Sequence, residues 1–500
     1  MLELAFTPDR AHPEPVYRQL RDYLRDLIAA ERLPRGTKLP ATRELATALG
    51  LSRNTVAQAY DELVADGLLA AHVGQNTFVA APLPGGRTPR TSRAATEPRR
   101  GFVWSGLFAL RARTLAVPAG LIPDRSIRTR FDFRGGQVAL DALPSADVRR
   151  AFAQALGDDL REAAGAQSPY GLPSLRREVA RYLVSRGIAC DVREVAIVDG
   201  AQQAIDLVTR VLVDAGDSVV LEQPGYFGAR VAFTAAQANV VAVEVDDEGL
   251  RTDDLGRVLR ARRVKLVYTT PAAQSPTGAV MSAARRRALL ALADEHQVPI
   301  LEDDYDSELR YEGPPIAALK TLDRAGHVVY VGTFSKVLFP GLRVGYVVAA
   351  PPLLEKMMLA RWNANVTTNV VAQAALAHLL ATGGLARHLK RVRALYGARL
   401  AAMLGALAAA MPAGTEWTRP RGGHSVWVTL PGGTDADALR QDALDAGLHY
   451  TPGDVFCGTH RGARHLALSF ANHTPAEIQA GIGLLGGLVT TQRARSRSIA

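Results

Sequence analysis

A lysine that follows an apolar run ending in small hydroxyl residues is placed for carbonyl chemistry. TFSKVLFPGLRVGY sets Lys336 in that way, with Thr333 and Ser335 before it and Arg343 seven residues on. Such an amine can form a Schiff base with an aldehyde, while hydroxyls and a guanidinium suit a phosphate on the same molecule. PILEDDYD ends a second apolar run with Asp303 and Tyr305, whose spacing puts both on one side of an extended chain. Asp303 can keep a ring nitrogen protonated, and Tyr305 can hydrogen-bond a phenolic oxygen. Upstream, DGAQQAIDL reads as a strand end and a helix start, whose free N–H groups at Ala201 and Gln202 suit a phosphate. Tyr226, in EQPGYFGAR, can stack on a ring face. Singly, a surface lysine or a half-buried tyrosine would mean little; the ordered set carries the meaning.

A second constellation suits double-stranded DNA. A recognition helix presents its first residues to base edges, where small hydrogen-bonding and cationic side chains belong. Ser52, Arg53, Asn54 and Thr55 supply them, Arg43 stands ready for a phosphate or guanine edge, and Gly74 lets a hairpin backbone approach a minor groove.

The elements that must position these residues are legible. Tyr17, Leu20, Leu24, Leu27 and Ile28 follow the spacing of an amphipathic helix, a second helix spans about 42–49, and Gly50 breaks it. Ser52 is placed to cap a third helix, with Val56, Tyr60 and Leu63 on its buried face. LLAAHV and TFVA flank Gly74-Gln75-Asn76 as a hairpin, the wing. Residues 1–80 thus read as an all-α, winged helix-turn-helix domain. Residues 81–130, rich in Pro, Gly and Arg, read as a linker. Beyond it, VAIVDG, DSVVLEQP, KLVYTTP, PILEDDY and HVVYVGTF alternate with helical stretches, which predicts an α/β body over 131–490 with a mostly parallel sheet and its ligand site at the strands' carboxyl ends. A smaller α+β subdomain is expected from about residue 350, and 491–500 as a basic tail.

The charge is uneven. Of a net +10, residues 81–130 hold 10 Lys/Arg against 2 Asp/Glu, including Arg87, Arg90, Arg93, Arg99, Arg100, Arg111 and Arg113. These can neutralise phosphates or keep a tether solvated. Two cysteines, Cys190 and Cys457, give neither a disulfide framework nor a metal-ligand spacing. No run of about 18 apolar residues and no signal-like start appears, so a cytoplasmic protein without a membrane span is expected.

LPATRELATALGLSRNTVAQAYDELVADGLL followed by GQNTFV resembles the winged helix-turn-helix of the GntR family. That implies DNA contacts by Arg43, Ser52, Arg53, Asn54, Thr55 and Gly74, with one departure at Asn76, where a glycine is usual. From Phe131 to Leu488 the cofactor set, with YGLPSLRREVARYL and SPTG, resembles fold-type I pyridoxal 5'-phosphate enzymes of the aminotransferase group. The resemblance implies Lys336 as the Schiff-base lysine, Asp303 at the pyridine nitrogen, Tyr305 at the phenolic oxygen and Tyr226 as the stacking ring. It gives Ser335, Arg343, Ala201 and Gln202 to the phosphate, and lets Tyr170 reach the phosphate of a neighbouring subunit in a homodimer.

Head, linker and body in that order resemble the MocR/GabR regulators, some of which sense pyridoxal phosphate, as the PdxR-like members do, and others an amino compound. Two positions depart from aminotransferases. Ser275 replaces an asparagine before Pro276, and Leu466-Ala467-Leu468-Ser469-Phe470 lacks the arginine that grips a substrate carboxylate, for which Arg464 or Arg361 are the available substitutes. The expectation is a regulator sensing pyridoxal phosphate or an amine without that carboxylate. The alternatives are a working aminotransferase with an appended DNA-binding head, and a DNA-binding protein whose cofactor site is vestigial.

Overall fold

In the computed structural model the described residues are 6, 8–9, 14–29, 33, 36–65, 68–71, 77–79, 109, 112, 115, 129–157, 164–165, 168–314, 316–458 and 460–499. The chain divides into two units, Met1–Phe102 and Val103–Ala500.

In the first unit, three helices (Val16–Ala29, Thr42–Leu49, Arg53–Ala65) precede an antiparallel hairpin of β1 (Leu69–Ala71) and β2 (Thr77–Val79). Leu20, Leu24 and Leu27 share one core with Leu45, Val56, Ala59 and Leu63, so the expected apolar stripe is the buried one. Removing a leucine from such a core costs about 2–5 kcal/mol. Gly50 ends the second helix in a left-handed conformation, φ 64°, returning its N–H to Ala46 and Thr47. Arg21 bridges to Glu62 at 2.7 Å and ties the first helix to the third. The wing tip with Gly74 and Asn76, and the linker arginines, lie outside the described residues.

The body opens with β3 (Phe131–Asp132), followed by eight strands that form one sheet: β4 (Val195–Val198), β5 (Ser218–Gln223), β6 (Asn239–Asp246), β7 (Gly249–Leu250), β8 (Val264–Thr269), β9 (Ile300–Asp304), β10 (Val328–Thr333) and β11 (Gly345–Val348). Their order is β4-β11-β10-β9-β8-β5-β6-β7. The five strands from β10 through β6 run parallel, and β11 is the antiparallel insert beside them. Alternation assigns the two faces. In β4, Val195 and Ile197 enter one core while Ala196 and Val198 enter the other. Helices Ala201–Leu212, Phe227–Ala235 and Pro351–Asn365 cover the second face, and Thr252–Ala261 and Ala283–His296 cover β5, β8 and β9 further along.

A smaller sheet follows: β12 (Glu416–Trp417), β13 (Ser425–Thr429), β15 (Thr451–Pro452) and β16 (His465–Ser469), while β14 (Leu448–His449) pairs with β3. The body's first strand is therefore anchored in its last part. Helix Gly384–Ala410 is long and apolar enough to cross a membrane, yet Leu385, Leu389, Val392, Tyr396, Met403 and Leu407 face the core. The last helix spans Pro475–Ile499 and so includes most of the expected basic tail.

Candidate functional site

Parallel strands end together, and the loops beyond β4, β5, β9 and β10 gather the cofactor set at that carboxyl edge. β9 carries Glu302, Asp303 and Asp304 in succession, all buried, and the pleat separates them. Glu302 accepts the N–H of Leu319 at 2.8 Å, and Asp304 pairs with Arg186 at 2.9 Å. Asp303 points the other way. Its Oδ2 accepts the Tyr268 hydroxyl at 2.7 Å, and its Oδ1 is buried with no hydrogen-bond partner among the described residues. Burial raises its pKa to about 7, although the Tyr268 bond and the Lys336 charge pull it down.

Lys336 lies three residues beyond the end of β10, half-buried. Burial lowers its pKa, against the pull of Asp306 and Asp303 and with help from Arg343. Gly136, at φ 95°, brings a loop against it: a Cβ there would lie 3.8 Å from Nζ. That loop is held where the Ala139 N–H donates to Tyr396 Oη at 2.8 Å. Tyr305 is hydrogen-bonded to Ser275, and burial, Asp306 and Asp303 hold its phenol well above the usual range. Ser275 thus stands beside the phenol, in the place expected of the missing asparagine.

The phosphate-type donors also converge. Ala201 and Gln202 open helix Ala201–Leu212, where first-turn N–H groups lack helical partners. Gly200, at φ 84°, precedes them, and a Cβ there would meet the Arg343 guanidinium at 3.0 Å. Arg343, itself left-handed, donates to the Asp199 carbonyl at 2.6 Å. Thr333 Oγ1 accepts the Ser335 N–H at 3.2 Å, leaving Ser335 Oγ buried without a partner among the described residues. Tyr226 donates to Gln202 Oε1 at 3.2 Å, and Gln202 reaches the Gly228 carbonyl at 2.8 Å. A Cβ at 228 would lie 2.2 Å from Gln202 Oε1 and 2.5 Å from the Tyr226 ring, so a larger residue there would displace both side chains. Tyr170 accepts the Ile197 N–H at its carbonyl, 3.0 Å away, with Arg176 over its ring.

Sequence reasoning missed Tyr268, Gly136, Asp199 and the Asp306–His424 pair at 2.8 Å. Tyr268 had a signal, a lone phenol in the otherwise apolar and Thr-rich KLVYTTP, but its partner lies 35 residues away.

Of the residues considered as substitute carboxylate clamps, Arg464 is engaged on the carbonyl of Leu430. Arg361 uses Nη1 on the carbonyls of Pro169 and Ile197 and keeps Nε and Nη2 buried without a hydrogen-bond partner among the described residues. Ala467 sits across from Trp427 in the β13–β16 register, in a cluster with Val455 and Phe456 that Phe227 borders. Phe227 in turn lies 5.1 Å from the Tyr226 ring.

In the head, Ser52 Oγ accepts the Thr55 N–H at 3.1 Å and pairs with Thr55 Oγ1 at 2.8 Å, so these hydroxyls cap the third helix. Arg43, Arg53 and Asn54 are exposed, and the two guanidinia make no ion pair among the described residues.

The aminotransferase class I and II family model matches residues 132–485, and that of the bacterial regulatory proteins, gntR family, matches residues 16–79. The probable rhizopine catabolism regulatory protein MocR of Rhizobium meliloti is 36% identical over 392 residues, 78% of this chain and 77% of that protein. The HTH-type transcriptional regulator TauR of Rhodobacter capsulatus is 34% identical over 469 residues, 93% of this chain and 94% of its own. Among solved structures, LysN, an alpha-aminoadipate aminotransferase of Thermus thermophilus complexed with N-(5'-phosphopyridoxyl)-L-leucine, aligns with a TM-score of 0.74 at 33% identity, covering 79% of this chain and 100% of that one.

Proposed function

The chain belongs to the MocR-type regulators, a gntR-family DNA-binding domain fused to an aminotransferase class I and II domain, and we infer that its body holds pyridoxal 5'-phosphate on Lys336 as a sensor of that cofactor or of an amine. The carrying observation is the buried Asp303 Oδ1, without a hydrogen-bond partner among the described residues, in a site shared with Lys336 and a set of phosphate-type donors. A buried carboxylate with one oxygen unpaired is costly, and a protonated ring nitrogen is the partner that fits that oxygen.

The residues fit the group. When bound, pyridoxal phosphate supplies an aldehyde for a primary amine and a ring that withdraws electrons while its nitrogen is protonated. Asp303 holds the proton at that nitrogen. Burial keeps more of Lys336 as the neutral, nucleophilic amine. Tyr305 and Ser275 serve the phenolic oxygen, Tyr226 covers a ring face, and Thr333, Ser335, Arg343 and the N–H groups of Ala201 and Gln202 take the phosphate. Tyr170 completes the phosphate site of a neighbouring subunit in a homodimer. On the DNA, Arg43, Arg53 and Asn54 reach phosphates and base edges while Ser52 and Thr55 shape the helix start. Such a regulator works in the cytoplasm.

The apolar wall at Ala467 supports an effector without a carboxylate at that end, because burying a carboxylate there with no matched cation would cost several kcal/mol. The working aminotransferase is not favoured, since the relatives matched over nearly the whole length are regulators.

Gel shifts and footprints on the region upstream of the chain's own gene, with and without pyridoxal phosphate, test the sensing claim. Altered affinity or footprint is expected; identical results in both arms overturn it. Lys336→Ala should abolish the long-wavelength absorbance of the lysine-bound cofactor, and a retained band overturns the attachment.

A further inference from the structure

At the opposite edge of the main sheet, where helices end and parallel strands begin, lies a concavity of about 700 Å³. The carboxyl ends of helices Ala201–Leu212, Thr252–Ala261 and Ala283–His296 border it through Leu212, Ala261 and His296. Four cations within six residues line it: Arg260, Arg262, Arg263 and Lys265. The three arginines are exposed and make no side-chain hydrogen bond or ion pair among the described residues. Of the nearby acids, Asp217 lies 3.9 Å from Lys265, one of the four cations, and Glu295 lies 3.8 Å from His296, which carries a charge only when protonated.

A helix carboxyl end attracts a cation within its last turn, which accounts for Arg260. It does not account for Arg262 and Arg263. Arg262 is extended, φ −156° and ψ 155°, and Arg263 leads into β8, so both stand beyond the helix. Arg262 and Arg263 have no acidic partner among the described residues, and a polyanion would supply the counter-charge. The concavity is open and its arginines are long and exposed, which fits a phosphate backbone running past it. The same chain binds DNA through its head.

We propose that this basic concavity is a second DNA-contact surface, which grips the phosphate backbone of duplex DNA without reading sequence. Each phosphate neutralised releases counterions, so binding through it adds to the salt dependence of the whole chain.

The test titrates the full-length protein with a mixed-sequence duplex of about 100 base pairs over a range of salt concentrations. Replacing Arg260, Arg262 and Arg263 together by alanine should lower the slope of log affinity against log salt by about 2.7, at about 0.9 for each phosphate no longer neutralised. A control of equal charge replaces the exposed Arg149, Arg177 and Arg391 and should keep the parent slope. Removing Arg43 and Arg53 reports the head's own share. The proposal is overturned by an unchanged slope in the concavity variant, or by an equal drop in both triple variants. It is also overturned if tripolyphosphate binds the concavity while the DNA slope stays at the parent value, since the surface would then serve a small anion. Unfolding curves accompany each variant, and a lower Tm with an unchanged slope would assign the arginines to stability alone.

Discussion

Tyr268 donates its hydroxyl to Asp303 Oδ2 at 2.7 Å, so one oxygen of this buried carboxylate is fixed by the protein, while the other has no hydrogen-bond partner among the described residues. The bond reaches from β8 to the adjacent β9 and aims the carboxylate. It also lowers the Asp303 pKa, which burial otherwise raises to about 7.

Tyr268→Phe should therefore weaken pyridoxal phosphate binding roughly tenfold or more, since a hydrogen bond to a charged group is worth about 1.5–3 kcal/mol. It should also move the pH dependence of binding upward, because the carboxylate loses a bond that favours its charged form. Spectrophotometric titration across pH measures both. Parent-like affinity with an unmoved pH profile would remove Tyr268 from the positioning role.

Asp303 sets a pH signature on the cofactor-free protein. The unfolded chain loses this proton near pH 3.8 and the folded chain near 7, so the folded state holds the extra proton between them and stability falls as pH rises. Above that window the cost is on the order of 4 kcal/mol. Asp303→Asn keeps an acceptor for Tyr268 and removes the cost. Urea unfolding should find the cofactor-free variant more stable than the parent at about pH 8, with the gap closing toward about pH 4, while its cofactor affinity is lower. A gap that widens in acid would contradict the assignment.

Ala467→Arg tests the apolar wall. A guanidinium set among Trp427, Val455 and Phe456 is desolvated without a partner, and the variant should lose about 3–5 kcal/mol in denaturant unfolding. If it unfolds like the parent and its absorbance now responds to α-amino acids, the wall is instead an open subsite.

In the head, cap and contact separate by substitution. Ser52→Ala removes the acceptor of the Thr55 N–H and should cost about 1 kcal/mol of stability. Arg53→Ala, exposed and without an ion pair among the described residues, should leave stability unchanged and lower the DNA-binding salt slope by about 1. Equal stability losses in both variants would count against this division of roles.

Local chemistry was legible in the residues. The amphipathic spacing around Leu20 and Leu24, the break at Gly50, the Ser52 cap, the alternation of strand and helix and the order of Lys336, Asp303 and Tyr305 all follow from neighbours a few residues apart. Period and spacing act over such distances, so residue order alone was enough to point to a winged helix-turn-helix region and an α/β body, and to offer candidates for the side chains that bring the chemistry. Which groups face one another depended on the assembled sheet. Strands distant in the chain meet through backbone hydrogen bonds that no side chain advertises. Hence the Tyr268–Asp303 bond, the Gly136 approach to Lys336, the pairing of β3 with β14, the use of Arg361 and Arg464 on carbonyls, and the gathering of helix ends around Arg260, Arg262 and Arg263 became visible only once the strand order was fixed.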